Sequence, residues 1–223
     1  MPAVWNSGGR QAKSDSTLAK RTGDRHMKPR IITIGCDFGA GGPQIGKALA
    51  EALGIEYYDR DLVDKVVSEI DVDRKVVEEA DTHTHASYEY QTKYGPRYAN
   101  LTNRVISVQN EVIHRMAAQG PCVIIGRSAN FLLEDRDDVL NLFIYAPKSI
   151  RVASIMEQFD AGQERAEEMV RYNDEINHAR HKYITGTYRG DRNGRHMLLD
   201  SSLLGWDGTV RYLLALIEML VEE

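Results

Sequence analysis

The residues best placed to do chemistry form a short glycine-rich run, Gly39-Ala40-Gly41-Gly42, between a β-branched stretch and an apolar stretch at helical spacing. Small residues let backbone N–H groups close around an anion, and a helix N-terminus behind them adds favourable dipole charge. The layout is that of a phosphate cradle. A full G-x-x-x-x-G-K-[ST] loop would place glycine at Cys36, lysine at Gly42 and Ser or Thr at Pro43, with Gln44 the nearest polar side chain. Of these, only the second glycine, Gly41, stands. On the loop alone, a phosphate cradle and a tight strand-to-helix packing turn are both open.

Other residues offer different chemistry. Arg127 follows an apolar run, Cys122-Val123-Ile124-Ile125-Gly126. A guanidinium fork there can grip phosphate oxygens in two places, or form an ordinary surface ion pair. Glu111-Val112-Ile113-His114 and Glu175-Ile176-Asn177-His178 are two Glu-x-x-His spacings. Such pairs build dimetal sites in four-helix bundles, which would make the protein a metal oxidase. His83 and His85 are surface-metal candidates or simply parts of a solvated loop. Cys36 lies near a helix N-terminus, a place that can depress a thiol pKa.

The elements that must position these groups alternate between strand and helix. Ile31–Ile34 reads as a buried strand ending at Gly35. Pro43 suits a first helical turn, Ile45, Leu49 and Leu53 give that helix an apolar face, and Gly54 caps it. Residues 55–58, 122–125, 140–145 and 196–199 read as further strands. Helices are expected over 105–119, 148–159, 163–183 and 206–221, with a break at Asp160-Ala161-Gly162. Residues 60–80 carry valines at helical spacing. Residues 81–98 are polar, without a clear period, and hold Tyr88, Tyr90, Tyr94 and Tyr98, which either stack on a base or pack an insertion. This alternation implies a parallel α/β sheet covered on both faces, with functional groups beyond the strands' carboxyl ends.

Composition narrows the classes. The chain has 223 residues, enough for one sizeable core. With 42% hydrophobic and 27% charged residues it is not disordered throughout. No apolar run is long enough to span a bilayer. Two cysteines, Cys36 and Cys122, make neither a disulfide framework nor a zinc site. With no secretory segment visible, a cytoplasmic location is the default expectation. Residues 1–30 carry seven basic and two acidic residues, while the rest holds 21 basic against 31 acidic. So acidic a body is a poor binder of nucleic acid. Residues 1–29, rich in Ser, Gly, Lys and Arg, read as a disordered basic leader, with Met27 close to the start of the fold. An organelle transit peptide is the other reading, although no clear amphipathic face supports it. The apolar stretch Leu213–Val221 serves either the core or a homodimer interface.

An ordered set of segments carries a resemblance. Ile32-Thr33-Ile34, Phe38-Gly39-Ala40-Gly41-Gly42, Ile45-Gly46, Leu53-Gly54-Ile55 and Tyr57-Tyr58-Asp59-Arg60 resemble the opening of the cytidylate-kinase-like family. Val112-Ile113, the run Gly120 to Arg127, Ala129-Asn130, Ala146-Pro147, Thr185-Gly186 and the run Asp200 to Gly205 continue it in order. The resemblance implies a P-loop nucleoside monophosphate kinase fold over residues 30–223. It would comprise a five-stranded parallel sheet with helices on both faces, a monophosphate-binding insertion near 60–103 and a lid near 158–194.

The implied reaction is phosphoryl transfer from ATP with magnesium to a nucleoside monophosphate, CMP or dCMP foremost. The implied roles follow the family's motifs. Phe38, Gly39, Ala40, Gly41, Gly42, Pro43 and Gln44 would hold the donor phosphates. Asp59, Arg60 and Arg127 would hold the acceptor. Asp174, Arg180 and Arg171 would act from the lid, with Asp37 and Asp59 as water-mediated magnesium partners. Such transfer needs charge neutralisation and alignment more than covalent chemistry.

The chain departs from that pattern at telling places. The Asp that usually follows the Gly-Arg pair is Ser128. In the lid's R-D-x-x-D-x-x-R pattern, Asp174 and Arg180 are kept, but Asn173 and Asn177 replace an Arg and an Asp, leaving Arg171 or Arg151 to supply the missing charge. The loop lacks its lysine, and Lys47 lies a turn further into the helix. Losing that lysine removes a charge-assisted contact of about 1.5–3 kcal/mol. Either an arginine from the lid substitutes for it, or the protein is a nucleotide- or phosphate-binding protein of the same fold without kinase activity.

Overall fold

The computed structural model describes residues 28–59 and 96–221. Within them the chain forms β1 (Ile31–Cys36), α1 (Gly42–Leu53), β2 (Glu56–Tyr58), α2 (Pro96–Gln119), β3 (Cys122–Ile125) and α3 (Ala129–Leu132). It continues through β4 (Val139–Tyr145), α4 (Lys148–Phe159), α5 (Gln163–Thr185), β5 (Met197–Asp200) and α6 (Gly205–Val221). The strands lie in the order β2-β3-β1-β4-β5, and every pairing is parallel. This is the five-stranded α/β sheet that the alternation implied. The short α3 was not anticipated. α2 starts at Pro96, well before the apolar period that begins at Val105, and proline suits a first helical turn.

β1, β3 and β4 alternate their side chains between two apolar layers. Ile31, Ile124 and Val139 meet Val105, Val112, Ile113 and Met116 of α2 on one face. Ile32, Ile34, Val123, Ile125, Leu140 and Leu142 meet Ile45 and Leu49 of α1 and Leu213 and Ile217 of α6 on the other. Leu213 and Ile217 therefore belong to the core. The buried pair Thr33 and Asn141 sits in register on neighbouring strands, and the Thr33 hydroxyl donates to Asn141 Oδ1 at 2.6 Å. A third apolar cluster joins α4 to α5 through Val152, Ile155, Ala166 and Val170, with Phe38 packed on it. The expected break between these helices is present: Asp160 adopts φ 49 and its N–H donates to Met156 O.

The leader, Arg60, His83, His85, Tyr88, Tyr90, Tyr94 and nearly all of the expected insertion lie outside the described residues. No helix of the described residues is long and apolar enough to cross a membrane.

Candidate functional site

β1 runs to the middle of the sheet and releases the chain at Cys36 into the glycine loop. Chain order reverses direction around β1, with β3 and β2 on one side and β4 and β5 on the other. That is where open parallel sheets place ligands. Gly39 and Gly41 both adopt φ +84, and Gly41 is the N-cap of α1. An L side chain is strained there, and neither position has room for one. A Cβ on Gly39 would lie 2.8 Å from Arg151 O, and a Cβ on Gly41 would lie 2.2 Å from Trp206 Nε1. Among the described residues none accepts from the N–H groups of Gly39, Gly41, Gly42 and Gln44. These donors, at the N-terminus of a twelve-residue helix, fit an anion.

Side chains distant in sequence hold the loop open. Arg151 of α4 donates to Phe38 O at 3.0 Å and to Ala146 O at 3.1 Å. Its guanidinium also pairs with Asp174 of α5 at 2.7 Å, and Asp174 accepts from the Phe38 N–H at 3.3 Å. Ser201, just past β5, donates to Ala40 O at 2.7 Å. The Tyr57 hydroxyl donates to Pro43 O at 3.2 Å, and Gln44 donates to Gln158 at 2.9 Å. Reorganisation of the loop is thus restricted before any ligand arrives.

The structure keeps the expected carboxylates Asp37, Asp59 and Asp174 beside the loop and gives Arg180 and Arg171 other partners. Arg127 stands at the carboxyl end of β3 with φ 54, beside Ser128 with φ 56. Asp59 follows β2 and accepts from Tyr57 at 3.3 Å. Asp37 begins the loop, where burial moves its carboxyl upward from its ordinary value while Arg151 and Arg189 oppose that shift. Asp174 is a staple of the loop. Arg180 is 5% exposed and donates to Gln109 of α2, so it faces the body of the fold. Arg171 is exposed and pairs with Glu175 at 3.5 Å. Lys47 is 67% exposed and reaches Glu51, so it does not replace the loop lysine.

The Glu-x-x-His motifs do not assemble. Glu111 and His114 are exposed, and Glu175 is taken by Arg171. Among the described residues no group of three or more His, Cys, Asp or Glu could hold a metal ion. Cys36 is half-buried and its thiol is pushed up to about 11, chiefly by burial, the reverse of an activated thiolate. It instead fills space: a Cβ on Gly42 would lie 2.4 Å from Cys36 Sγ and 2.5 Å from Cys36 Cβ.

Sequence reasoning passed over Trp206, Ser201 and two arginines. Trp206 lies edge-on against Gly41. Arg189 donates to Cys36 O and stands 3.8 Å from Asp37. Arg195 lies over the Phe143 ring at 5.3 Å and Arg189 at 5.8 Å. Beside them His181 is pushed down to about 4 by burial, with help from Arg195, Arg189 and His178. Its ring bridges Ser128 at 3.1 Å and Thr187 at 3.2 Å. For the arginines the advance signal was the run Arg189-Gly190-Asp191-Arg192-Asn193-Gly194-Arg195, which puts three arginines in seven residues, and for Ser201 it was a place just past the last expected strand.

Comparison with known proteins agrees with this architecture. A family model described as the cytidylate kinase-like family matches residues 31–203. No curated protein matches in sequence. Among solved structures, an uncharacterized protein from Eubacterium ventriosum is similar with TM-score 0.64 and 21% identity, covering 84% of this chain and 98% of that one. A shikimate kinase from Acinetobacter baumannii, solved with shikimate, is similar with TM-score 0.50 and 15% identity, covering 86% and 95%. A shikimate kinase from Bacteroides thetaiotaomicron gives TM-score 0.50 and 12% identity, covering 84% and 98%. The fold is that of the P-loop kinases, and the chain belongs to the cytidylate kinase-like family.

Proposed function

We propose that the protein transfers a phosphoryl group from ATP to a nucleoside monophosphate, with CMP or dCMP the favoured acceptor. The observation that carries this reading is the stapled glycine loop, whose N–H groups at Gly39, Gly41, Gly42 and Gln44 meet no acceptor among the described residues at the mouth of the sheet. Family membership supports the nucleotide, and the acceptor preference rests on the resemblance.

In this mechanism the loop from Phe38 to Gln44 holds the donor phosphates through backbone donors and the positive end of α1. Held by Arg151, Asp174 and Ser201, these donors need little reorganisation as charge develops. Arg127 and Asp59 orient the acceptor from the β3 and β2 side, and Arg60, outside the described residues, is the further acceptor residue the resemblance implies. Asp37 and Asp59 fit the one or two carboxylates that magnesium takes beside phosphates and water. When bound there, the ion supplies charge neutralisation. Asp174 acts by positioning Phe38 and Arg151. Arg180 holds α5 against α2, and the exposed Arg171 is the α5 residue that the resemblance assigns to closing on phosphate.

One observation favours a second reading, nucleotide binding without transfer. Cys36 packs where a side chain at position 42 would begin, so the loop offers no cation of its own. The deciding experiment is ADP release from ATP and magnesium with CMP, dCMP, UMP, AMP and GMP, with Arg127→Ala as control. Acceptor-dependent turnover that vanishes in the variant is expected. ATP binding with no turnover on any acceptor sinks the kinase reading and leaves the binder.

A further inference from the structure

Arg189 and Arg195 are the most unusual charges in the described fold. They lie on the β4 side of β1, whereas Arg127 lies on the β3 side. Gly35 and Phe143 are register partners on β1 and β4. A Cβ on Gly35 would lie 2.9 Å from the Phe143 ring and 3.1 Å from both terminal nitrogens of Arg195. Arg195 is therefore laid directly over the last stretch of strand before the loop. Among the described residues its polar contact is Leu142 O at 3.4 Å, with no carboxylate within ion-pair distance. Arg189 shares the ring, and its one carboxylate, Asp37, is 3.8 Å away. Burial and the charge of Arg189 push Arg195 down to about 10. Two half-buried cations on one ring, served by one distant carboxylate, leave an excess of positive charge out of bulk water. Such a place favours a multiply charged anion.

We propose that Arg189 and Arg195 bind the terminal phosphate of a nucleoside triphosphate donor and supply the charge that the loop lacks at Gly42. This rests on the nucleotide-binding reading of the loop. Three observations converge on it. Arg189 touches the chain at Cys36 and Asp37, where β1 passes into the loop, and Arg195 lies beside it on the Phe143 ring. It lies across β1 from Arg127, so the two cationic centres serve different phosphates. Cys36 occupies the space beside Gly42, which moves the source of the cation from the loop to the segment after Gly186.

The test is calorimetric binding of ATP and of ADP to the full chain and to Arg189→Gln, Arg195→Gln and Arg195→Lys. The wild type is expected to bind ATP more tightly than ADP. Each Gln variant should lose about tenfold or more in ATP affinity while ADP affinity changes by less than about twofold. Arg195→Lys, which keeps the charge but not the fork, should fall between. Melting curves identify any variant that fails to fold, and Arg189→Gln, the less central of the two, then carries the comparison. Equal losses for ATP and ADP, or none, overturn the proposal, as does a wild type that does not distinguish them. A wild type that binds neither nucleotide fails the donor reading and the proposal together. The expected pattern without turnover on any acceptor leaves the proposal standing and fails the kinase.

Discussion

Restoring the missing lysine is the sharpest perturbation, because the structure says why it fails alone. Gly42 does not have positive φ, so its backbone accepts a lysine. Its Cβ, however, would lie 2.4 Å from Cys36 Sγ and 2.5 Å from Cys36 Cβ, well inside the 3.4–4 Å of ordinary contact. Better helix propensity than glycine and an unfavourable cation at a helix N-terminus nearly offset each other, at about 0.3–1 kcal/mol each. What remains is overpacking of roughly 1–3 kcal/mol. For a chain of this length that lowers Tm by roughly 2–4 °C per kcal/mol.

The second substitution discriminates. Cys36→Gly removes both clashing atoms, at the usual glycine penalty of about 0.5–1 kcal/mol. Cys36→Ala removes only Sγ and leaves the Cβ contact at 2.5 Å. The assay is urea unfolding of Gly42→Lys alone, with Cys36→Ala, and with Cys36→Gly. The coupling should be about 1–3 kcal/mol for the pairing with Cys36→Gly and small for the pairing with Cys36→Ala. The Cys36→Gly, Gly42→Lys protein should also bind ATP more tightly than either single variant. Wild-type stability for Gly42→Lys alone, or equal rescue by the alanine and glycine substitutions, would refute the steric coupling.

Three further outcomes are expected. Trp206 sits against Gly41, so nucleotide binding to the loop should change tryptophan fluorescence, and Trp206→Phe should abolish the change; a signal that persists places the ligand elsewhere. Asp174→Asn keeps an acceptor for Phe38 and loses the pairing with Arg151, a cost of about 1–2 kcal/mol, whereas Arg151→Met also strips donors from two loop carbonyls and should cost more, roughly 2–4 kcal/mol; the reverse order in chemical denaturation counts against the staple. His181 titrates near 4 in the fold against its ordinary 6.5, so the unfolded chain binds the extra proton first and stability falls as pH drops through that window; His181→Gln should flatten this part of the stability profile, and an unchanged slope would show that His181 does not govern it.

The centre of the sheet was legible because β1 and β3 are β-branched runs closed by glycine or a polar residue, and such runs favour the strand. The αL stop at Asp160 was marked by its neighbours Ala161 and Gly162. The loop was legible as a glycine cluster. What supports it was not. Ser201 meets Ala40, Arg151 meets Phe38 and Trp206 meets Gly41 across separations set only by the way α4, β5 and α6 return to the sheet. The lid motif named Asp174 and Arg180 as a pair, yet the step between them along α5 turns them toward different neighbours, the loop for Asp174 and α2 for Arg180.

That divergence bears on how the site can move. α5 is tied to the loop by Asp174 and Arg151, to α2 by Arg180 and Gln109, and to α4 by Ile155, Ala166 and Val170. Swinging α5 as a rigid lid would break all three connections and remove the Phe38 N–H partner that shapes the cradle. The residues after Gly186 lean on α5 through Thr187 and Tyr188, and on the sheet through ties of another kind. Arg189 and Arg195 hold β1 and β4 through backbone carbonyls, one aromatic ring and the 3.8 Å pairing of Arg189 with Asp37, contacts that a phosphate can replace with stronger ones. Closure over a donor therefore costs least when α5 stays in place and the arginine-bearing segment beyond it moves. A Gly186→Pro substitution, at φ 72 where proline cannot sit, should then impair ATP affinity and leave ADP affinity and the α5 contacts largely intact. Equal losses for both nucleotides would place the moving part in α5 instead.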